Sequence, residues 1–314
     1  MISSILRKLA TFLSFFFKNK PINEVKNKKV IKKINKLLNE SKVTNSSLKK
    51  THIKFNFQLF KLLKEKKIRN FLRESFIQKM FFIHNRLFIN NELKFLQKSK
   101  KWFFYKKILV EDSVGNPVRY FLYPISSGNR INHVFHLSLL IEEFNIDLKK
   151  IKKIFEFGGG YGCMARIFSK VNNKIKYTCF DTFYVNLLQF YYLACNNLNV
   201  GFKKENNFFL SSNYKQIKKY HKKNSNYLFI ANWSISETPL QFRKNFEEII
   251  KKSKYILIGF QESFENINNL KYFSDLKKKI SNKFEIKIIK NKFYKGNLIQ
   301  TQKHYYFLAK RIKS

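Results

Sequence analysis

The sequence predicts an α/β fold: a mostly parallel sheet with an antiparallel last strand, preceded by a helical N-terminal extension. From residue 151 onward, short apolar segments alternate with longer segments of helical periodicity, which is typical of a parallel sheet covered on both faces. Four of the nine glycines in the 314 residues fall within five positions, directly after the first apolar segment. Residues 1–110 contain no glycine and a single proline, which favours a run of helices.

The N-terminal extension, residues 1–110, is predicted to form helices at about 2–17, 26–39, 55–80 and 84–99. Residues 111–314 are predicted to form one further domain, which carries the sheet. No internal repeat is visible in either part.

Residues 1–20 place apolar side chains at helical spacing opposite polar ones, so this helix could lie on an anionic membrane surface or pack on its own domain. A secretory signal is disfavoured because lysines follow the short apolar stretch at Leu9–Phe17 where small residues are needed. The three cysteines form neither a CxxC pair nor a disulfide framework. We therefore expect a cytoplasmic protein with a possible peripheral membrane contact.

The net charge of +43 results from 63 Lys and Arg against 20 Asp and Glu, and only 9 of the basic residues are Arg. Arg is the favoured residue for bidentate recognition of phosphate and guanine, so a surface selected for nucleic acid would use it more freely. The abundance of Lys, Asn, Ile and Phe is also what an A/T-rich coding sequence imposes. Residues 111–202 are nearly neutral. Nucleic acid is therefore not the favoured partner.

In the second domain, Gly115-Asn116-Pro117 predicts a hairpin, and a helix with Ser127 or Asn129 as its cap is expected to follow. Two further strands, at 284–290 and 303–310, have no helix between them and could pair in antiparallel fashion through a loop around Gly296. The other predicted strands cover 153–157, 176–180, 226–231 and 254–260, and the predicted helices begin at 162 and cover 183–197 and 240–252.

The glycine cluster comprises Gly158, Gly159, Gly160 and Gly162. It allows a tight turn from a strand into a helix, with no side chain between the backbone and a ligand. A dinucleotide fingerprint would need glycine or alanine at Cys163, and no Gly-Lys-Ser/Thr sequence closes a phosphate loop. What remains is an acidic-x-Gly-x-Gly-x-Gly pattern that begins at Glu156. An aspartate, Asp181, ends the next predicted strand, 23 residues after Gly158.

With these residues the sequence resembles the class I S-adenosylmethionine-dependent methyltransferases, whose first motif has this form. The resemblance implies a Rossmann-like sheet and S-adenosyl-L-methionine as cofactor. It further implies that Asp181 binds the ribose hydroxyls and that Glu156, the four glycines of the cluster and Asn232 belong to the cofactor site. A Rossmann-like domain whose loop binds another nucleotide, or nothing, remains the alternative.

A narrower resemblance covers about residues 111–260, through the runs "FEFGGGYGCMARIFS", "YTCFDTFYVNLLQFYYL" and "YLFIANWSISETPLQFRKNFEEI". These runs look like the sugar O-methyltransferase family found in bacterial surface-polysaccharide gene neighbourhoods. The family's Asn-aromatic-x-x-Ser-Glu motif is matched here by Asn232, Trp233, Ser236 and Glu237. The sequence departs from the family after Asp181, where Thr-Phe-Tyr replaces a commoner Leu-Pro. The resemblance implies methylation of a sugar hydroxyl on a surface glycan or its precursor.

Two residues are candidates for catalysis. Glu237 could be the general base or a sugar-hydroxyl partner, but a carboxylate just before Pro239 could also serve only the dipole of the following helix. His133 lies among polar residues at the start of the helix before the glycine cluster. A polar helix face of this kind is often exposed to solvent without any further role. Trp233 and Ser236 are expected to bind the acceptor. No metal site is expected.

Two other functions stay open. The basic charge favours an RNA methyltransferase, although no Asn/Asp-Pro-Pro-aromatic motif and no RNA-binding module is recognisable. From a different class, the chain could be a non-catalytic basic binding protein that retains a vestigial Rossmann loop.

Overall fold

The computed structural model describes residues 9, 12–13, 16–17, 19–40, 50–81, 88–222, 226–293 and 303–312. Most of the predicted helix at 2–17 and the predicted loop around Gly296 lie outside these residues. The chain divides into two compact units. The first is Met1–Val134, Gly160–Ile167 and Thr182–Gly201, and the second is Phe135–Gly159, Phe168–Asp181 and Phe202–Ser314. The predicted boundary at residue 110 stays a prediction.

The first unit is largely helical. The helix at Glu24–Glu40 buries Asn27, Val30, Ile34 and Leu38, which recur every three or four residues and so lie on one face. The described helices that precede residue 110 are α1 (Glu24–Glu40), α2 (Lys50–Lys64), a 3₁₀ helix (Lys66–Arg73), α3 (Ser75–Met80), α4 (Phe88–Lys98) and α5 (Trp102–Leu109).

The predicted helix at 55–80 is broken into three pieces. Extended backbone at Glu65 and Glu74 ends one helix and starts the next, and Asn70 has non-helical dihedral angles inside the 3₁₀ segment. These turns allow Ile68 and Phe71 to be buried completely. The helix α5 was not predicted.

A two-residue turn at Phe121 and Leu122 joins β1 (Arg119–Tyr120) to β2 (Tyr123–Ser127) in an antiparallel hairpin. The predicted hairpin turn at Gly115-Asn116-Pro117 is therefore wrong in position. Gly115 and Asn116 do adopt positive φ values, of 83° and 55°, but none of the described residues before them forms a strand. Their turn instead packs against Phe71, and the backbone N–H of Leu72 donates to the Gly115 carbonyl at 3.0 Å.

The sheet has eight strands in the order β11-β12-β8-β7-β3-β4-β6-β5. The β3–β4, β3–β7, β4–β6 and β7–β8 pairs are parallel, whereas β12 is antiparallel to both β8 and β11. The strands are β3 (Lys153–Phe157), β4 (Lys176–Phe180), β5 (Val200–Gly201), β6 (Phe208–Ser211), β7 (Leu228–Asn232), β8 (Tyr255–Gln261), β11 (Phe284–Lys290) and β12 (His304–Arg311). The predicted fold class is confirmed, including the antiparallel last strand.

The helices that alternate with these strands are α6 (Gly128–Phe144), α7 (Cys163–Val171), α8 (Phe183–Cys195), α9 (Tyr214–Lys222), α10 (Leu240–Lys252) and α11 (Asn269–Ile280). A short β9–β10 hairpin (Ser263–Phe264 and Ile267–Asn268) precedes α11. Among the described helices, none combines the length and the apolar character needed to cross a bilayer.

The core of the second unit is aromatic. Phe155 on β3 stacks on Phe229 of the paired strand β7, with ring centroids 5.5 Å apart. Phe246 of α10 meets Phe157 edge-on at 4.7 Å. Burial of each such ring is worth about 1.5–3 kcal/mol. This packing holds the carboxyl ends of the central strands in fixed register.

Candidate active site

The neighbouring parallel strands β4, β3 and β7 of the second unit end side by side at the carboxyl edge of the sheet. Phe157 on β3 pairs with Phe180 on β4, so Gly158 and Asp181 follow side by side, and the Gly158 N–H donates to the Phe180 carbonyl at 2.8 Å. On the other side of β3, residue 156 pairs with residue 230, which brings Asn232 to the same level. The chain leaves β3 for β4 on one side and later returns to β7 on the other. Ligands of open α/β sheets bind at such a switch point.

Gly158 and Gly159 are required by the packing of the protein itself. Gly158 has φ of +73°, and a Cβ at this position would overlap the Cβ of Ser234. Ser234 Oγ in turn donates to the Phe157 carbonyl. A Cβ at Gly159 would lie 2.6 Å from Cys179 Sγ and 2.6 Å from Oε2 of Glu156. The turn after β3 is therefore closed tightly on its neighbours.

The structure places Glu156 beneath this turn. Its side chain is buried, and Tyr177 Oη donates to Oε2 at 2.7 Å. Burial raises the pKa of the carboxyl to about 8, the Tyr177 hydrogen bond lowers it, and the nearby Asp181 charge raises it. At neutral pH this carboxyl is mostly protonated and supports the glycine turn. A direct role for Glu156 in cofactor binding stays a prediction.

Two polar side chains lie at the strand ends beside the turn. Asp181 is half-buried, and its backbone N–H donates to the Ser211 carbonyl at 3.2 Å. Within the described part of the chain, both the Oδ1 and the Nδ2 atoms of Asn232 are buried without a hydrogen-bond partner. An unsatisfied buried polar group costs about 1–3 kcal/mol, so the Asn232 amide is suited to a polar ligand.

The remaining glycines of the cluster belong to the first unit. Gly160 has φ of +56°, its carbonyl accepts a hydrogen bond from Gln189 Nε2 at 2.9 Å, and a Cβ there would lie 3.1 Å from the ring of Phe81. Gly162 has φ of +97°, and the space around it would allow ordinary contact between a Cβ and Leu193. Gly162 is thus required by its backbone conformation, whereas Gly160 is also sterically confined.

Trp233 has an unusual conformation for a large residue, with φ of +61°. Its backbone N–H donates to the Gly259 carbonyl at 2.7 Å, and its indole Nε1–H donates to Nδ1 of His304 at 2.7 Å. The ring of His136 lies 4.9 Å from the Trp233 ring. Since an indole N–H can only donate, the Nδ1 atom of His304 accepts, and the neutral imidazole carries its proton on Nε2.

His304 is not among the site residues that the sequence predicts. It begins β12, and because β12 runs antiparallel, its first residue pairs with Gln261, the last residue of β8. The available signal was the antiparallel last strand, whose start must lie at the carboxyl edge of the parallel strands.

Glu237 ends a short 3₁₀ helix (Ile235–Glu237) after β7. Glu237 is exposed on the surface of the loop, yet the protein atoms within reach of its carboxyl raise the pKa to about 7 by limiting its hydration, and the hydrogen bond from Gln261 Nε2, at 3.4 Å, lowers it. Ser236 is buried, and its Oγ lies 2.8 Å from Oε1 of Gln261 and 2.6 Å from the Trp233 carbonyl. Gln261, which was not predicted, therefore links the two predicted residues Ser236 and Glu237.

His133 lies in the first unit, in the opening turns of α6. Its Nδ1 atom is 2.9 Å from the Asn129 carbonyl, which fixes Nδ1 as the protonated nitrogen. Removal of the ring from water lowers the pKa of His133 to about 4, the hydrogen bond to Asn129 raises it, and the nearby Arg130 charge lowers it. The ring is therefore neutral at pH 7. Its catalytic role stays a prediction.

Among the residues that the structure describes, no group of three or more His, Cys, Asp and Glu side chains is arranged to hold a metal ion. No disulfide joins the three cysteines, all of which the structure describes, and Cys163 and Cys179 are buried.

No known family model matches the sequence, and no curated protein matches it. The solved structures that are similar in fold include three methyltransferases. An rRNA methylase from Streptococcus thermophilus is 12% identical, with 58% of this chain and 95% of that chain covered and a TM-score of 0.39. The O-MT region of StiE is 11% identical, with 56% and 72% covered and a TM-score of 0.41. Precorrin-6y C5,15-methyltransferase from Geobacter metallireducens is 10% identical, with 56% and 87% covered and a TM-score of 0.34. These similarities assign no substrate and no residue role to this chain, and they do not confirm the sugar O-methyltransferase resemblance.

Proposed function

We propose that this chain is an S-adenosylmethionine-dependent O-methyltransferase. The observation that carries the proposal is the row of strand ends in the second unit. Gly158 and Asp181 follow β3 and β4, and Asn232, whose amide has no hydrogen-bond partner among the described residues, is the last residue of the adjacent parallel strand β7. A ligand with both donors and acceptors would satisfy the buried Asn232 amide. The half-buried Asp181 carboxylate can accept hydrogen bonds from both hydroxyls of a ribose. These residues therefore fit a nucleoside cofactor.

S-adenosylmethionine supplies, when bound, a methyl group on a sulfonium, whose leaving group needs no acid. The protein's tasks are to position the acceptor and to take up the proton of its hydroxyl. Glu237 is the proposed base, since a pKa of about 7 suits proton uptake at neutral pH. Trp233 and Ser236 lie on the same loop and are the proposed acceptor-binding residues.

The proposed acceptor is a sugar hydroxyl on a surface glycan or its precursor. The support is the sequence motif formed by Asn232, Trp233, Ser236 and Glu237, together with its chemistry. A carboxylate that accepts from hydroxyl groups and an aromatic residue four positions before it suit a sugar, which presents both hydroxyls and an apolar C–H face. An RNA acceptor is the second candidate, and the net charge of +43 favours it.

Calorimetric titration of the full chain with S-adenosylmethionine tests the cofactor. We expect the wild type to bind, Asp181→Ala to bind at least about tenfold more weakly, because two hydrogen bonds to a charged group are lost, and Gly160→Arg not to bind. The matched control is Asp275→Ala, an exposed aspartate on α11, which should bind like the wild type. If the wild type does not bind S-adenosylmethionine, the enzyme proposal fails, and the hypothesis of a non-catalytic binding protein is supported instead.

Transfer of a radiolabelled methyl group tests the acceptor. Bacterial polysaccharide, nucleotide sugars and total RNA are compared as acceptors with the same enzyme. Label in a carbohydrate fraction, absent with Glu237→Gln, supports the sugar proposal. Label in RNA alone, with a steep loss of RNA affinity as salt rises, would establish the second candidate.

A further inference from the structure

Two adjoining elements of the first unit expose large apolar side chains, and exposed lysines lie in the same stretch of the chain. We call this surface the apolar-basic patch and define its apolar members as the exposed residues Phe103, Val110, Phe121, Leu122 and Ile125. They come from helix α5, from the residue that follows it, and from the β1–β2 hairpin.

These two elements lie side by side. The rings of Trp102, at the start of α5, and Tyr123, at the start of β2, have centroids 6.3 Å apart. Just beyond α5, the backbone N–H of Glu111 donates to the Ile125 carbonyl at 2.9 Å. The helix and the hairpin are thus joined at two points.

The apolar exposure is large. Phe103 is 80% exposed, Leu122 is 51% exposed and Ile125 is 47% exposed. Single exposed apolar residues are common, but a group of them on two adjoining elements marks an interaction site. Leu122 occupies the tip of the hairpin turn, where polar residues or glycine are usual.

The segment around α5, residues 93–110, carries only positive charges. Residues 93–110 contain six lysines and neither an acidic residue nor an arginine, and the two flanking carboxylates, Glu92 and Glu111, are buried. The lysines are Lys94, Lys98, Lys100, Lys101, Lys106 and Lys107, and all except the half-buried Lys101 are exposed.

We propose that the apolar-basic patch docks on an anionic lipid membrane. Phe103, Leu122 and Ile125 enter the boundary between headgroups and acyl chains, and the lysines contact anionic headgroups. Trp102 and Tyr123 are the aromatic types that concentrate at this depth. Apolar insertion and positive charge together supply the two signals that stable peripheral binding needs.

Other partners fit the patch less well. RNA would gain nothing from the aliphatic Leu122 and Ile125, since single strands bind by stacking on rings and by contacts to phosphates. A second copy of this chain has 63 basic against 20 acidic residues, so it offers few negative charges to the lysines. An anionic membrane satisfies both the apolar and the basic members.

The proposal is independent of the proposed methyltransferase activity, because none of these residues belongs to the glycine turn or to the strand ends beside it. It is also distinct from the membrane contact expected for residues 1–20. Most of those residues lie outside the part of the chain that the structure describes.

The two tryptophans of the chain provide a direct test. In the Trp233→Phe chain, the remaining Trp102 reports on the patch. We expect its fluorescence to shift to the blue with vesicles of equal parts phosphatidylcholine and phosphatidylglycerol, and to be quenched when the lipids carry brominated acyl chains. Pure phosphatidylcholine vesicles should produce neither effect. If Trp102 does not respond to the anionic vesicles, the proposal is overturned.

Vesicle sedimentation with the full chain measures the contributions of the side chains. Phe103→Ser combined with Leu122→Ser should raise the lipid concentration for half-maximal binding about tenfold or more. The matched apolar control is Phe57→Ser on α2, where a phenylalanine is 60% exposed. Lys106→Glu with Lys107→Glu should also weaken binding to anionic vesicles, and the matched charge control is Lys28→Glu with Lys32→Glu on α1.

The side chains substituted for the sedimentation assay are all exposed, so each of these variants should keep the wild-type thermal midpoint, and a double variant of the patch that does not is replaced by Phe103→Ser alone. Binding equal to the wild type in the patch variants overturns the proposal. It is also overturned if the patch variants instead dissociate a dimer, seen by sedimentation velocity, or lose affinity for RNA while vesicle binding is unchanged.

Discussion

The indole N–H of Trp233 donates to Nδ1 of His304 over 2.7 Å, although the two residues are 71 positions apart. Trp233 holds a left-handed backbone conformation at this point, with φ of +61°. Such a conformation in a bulky residue costs about 1–3 kcal/mol and persists only where the surroundings impose it. Here the hydrogen bond to the Gly259 carbonyl and the ring contact with His136 impose it.

Replacement of Trp233 by Phe tests this link. Phe keeps an aromatic ring but has no donor, so Nδ1 of His304 loses its fixed acceptor role. In the wild type, NMR of the ¹⁵N-labelled histidine rings should show His304 with its proton on Nε2, whereas Trp233→Phe should show a mixture of tautomers. Unchanged ring nitrogen shifts in the variant would contradict the assigned hydrogen bond.

Gly158 and Gly259 differ in whether the folded chain leaves room for a side chain at their positions. Gly158→Ala should lower the free energy of unfolding by about 2 kcal/mol or more, because its φ is +73° and its Cβ would overlap Ser234. Gly259→Ala is the control: its Cβ would meet Trp233 at an ordinary 3.5 Å, and the expected change is within about 1 kcal/mol. Urea denaturation measures both. Equal losses in the two variants would show that the turn after β3 is not closed as described.

The buried carboxyl of Glu156 should make stability depend on pH. Its pKa is raised from 4.5 to about 8, so between these values the native state retains a proton that the unfolded chain has released. Stability therefore falls as pH rises through this window, by up to about 1.4 kcal/mol per pH unit from this group. In Glu156→Gln the contribution disappears, and Gln can still accept from Tyr177. Denaturation curves at pH 5.5 and 8 should thus diverge less in the variant. An identical pH dependence in the two proteins would refute the raised pKa.

Glu237 should set the pH dependence of methyl transfer if it is the base. A pKa of about 7 predicts that kcat/KM rises with pH through a midpoint near 7, since only the carboxylate can take up a proton. Glu237→Gln should remove this rise and slow transfer about 10²- to 10⁴-fold. Its affinity for S-adenosylmethionine should stay within about threefold of the wild type, which separates the role of base from a general loss of folding. A variant that keeps the pH midpoint would exclude Glu237 as the base.

The strand positions were predictable because each parallel strand is an apolar run between polar flanks. The observed β3, β4 and β11 match the predicted bounds, and β7, β8 and β12 differ by at most two residues. In contrast, β6 is four residues long and α5 is eight, which is too short for periodicity to separate them from a loop. The hairpin turn was misplaced because Gly115 and Asn116 signal a turn without indicating whether a strand precedes it.

The sequence could predict only those site residues that directly follow a predicted strand. The glycine turn, Asp181 and the loop from Asn232 to Glu237 each follow directly on a predicted strand. The roles of His304 and Gln261 depend on which strands become neighbours, and periodicity along the chain does not specify this. The raised pKa of Glu237 likewise arises from atoms packed around it in the folded state. Exposure of Leu122 also could not be predicted, because an apolar residue near a strand is normally assigned to the core.

The position of β12 between β8 and β11 has a consequence for folding during synthesis. β11 is made before β12, yet it pairs with β12, so the ribosome releases residues 284–290 before their neighbour in the sheet exists. Until residues 304–311 emerge, β8 presents an open apolar edge of the kind that associates with other chains. We expect nascent chains arrested before residue 304 to exchange the amide hydrogens of β11 freely and to recruit chaperones, whereas the released chain protects them.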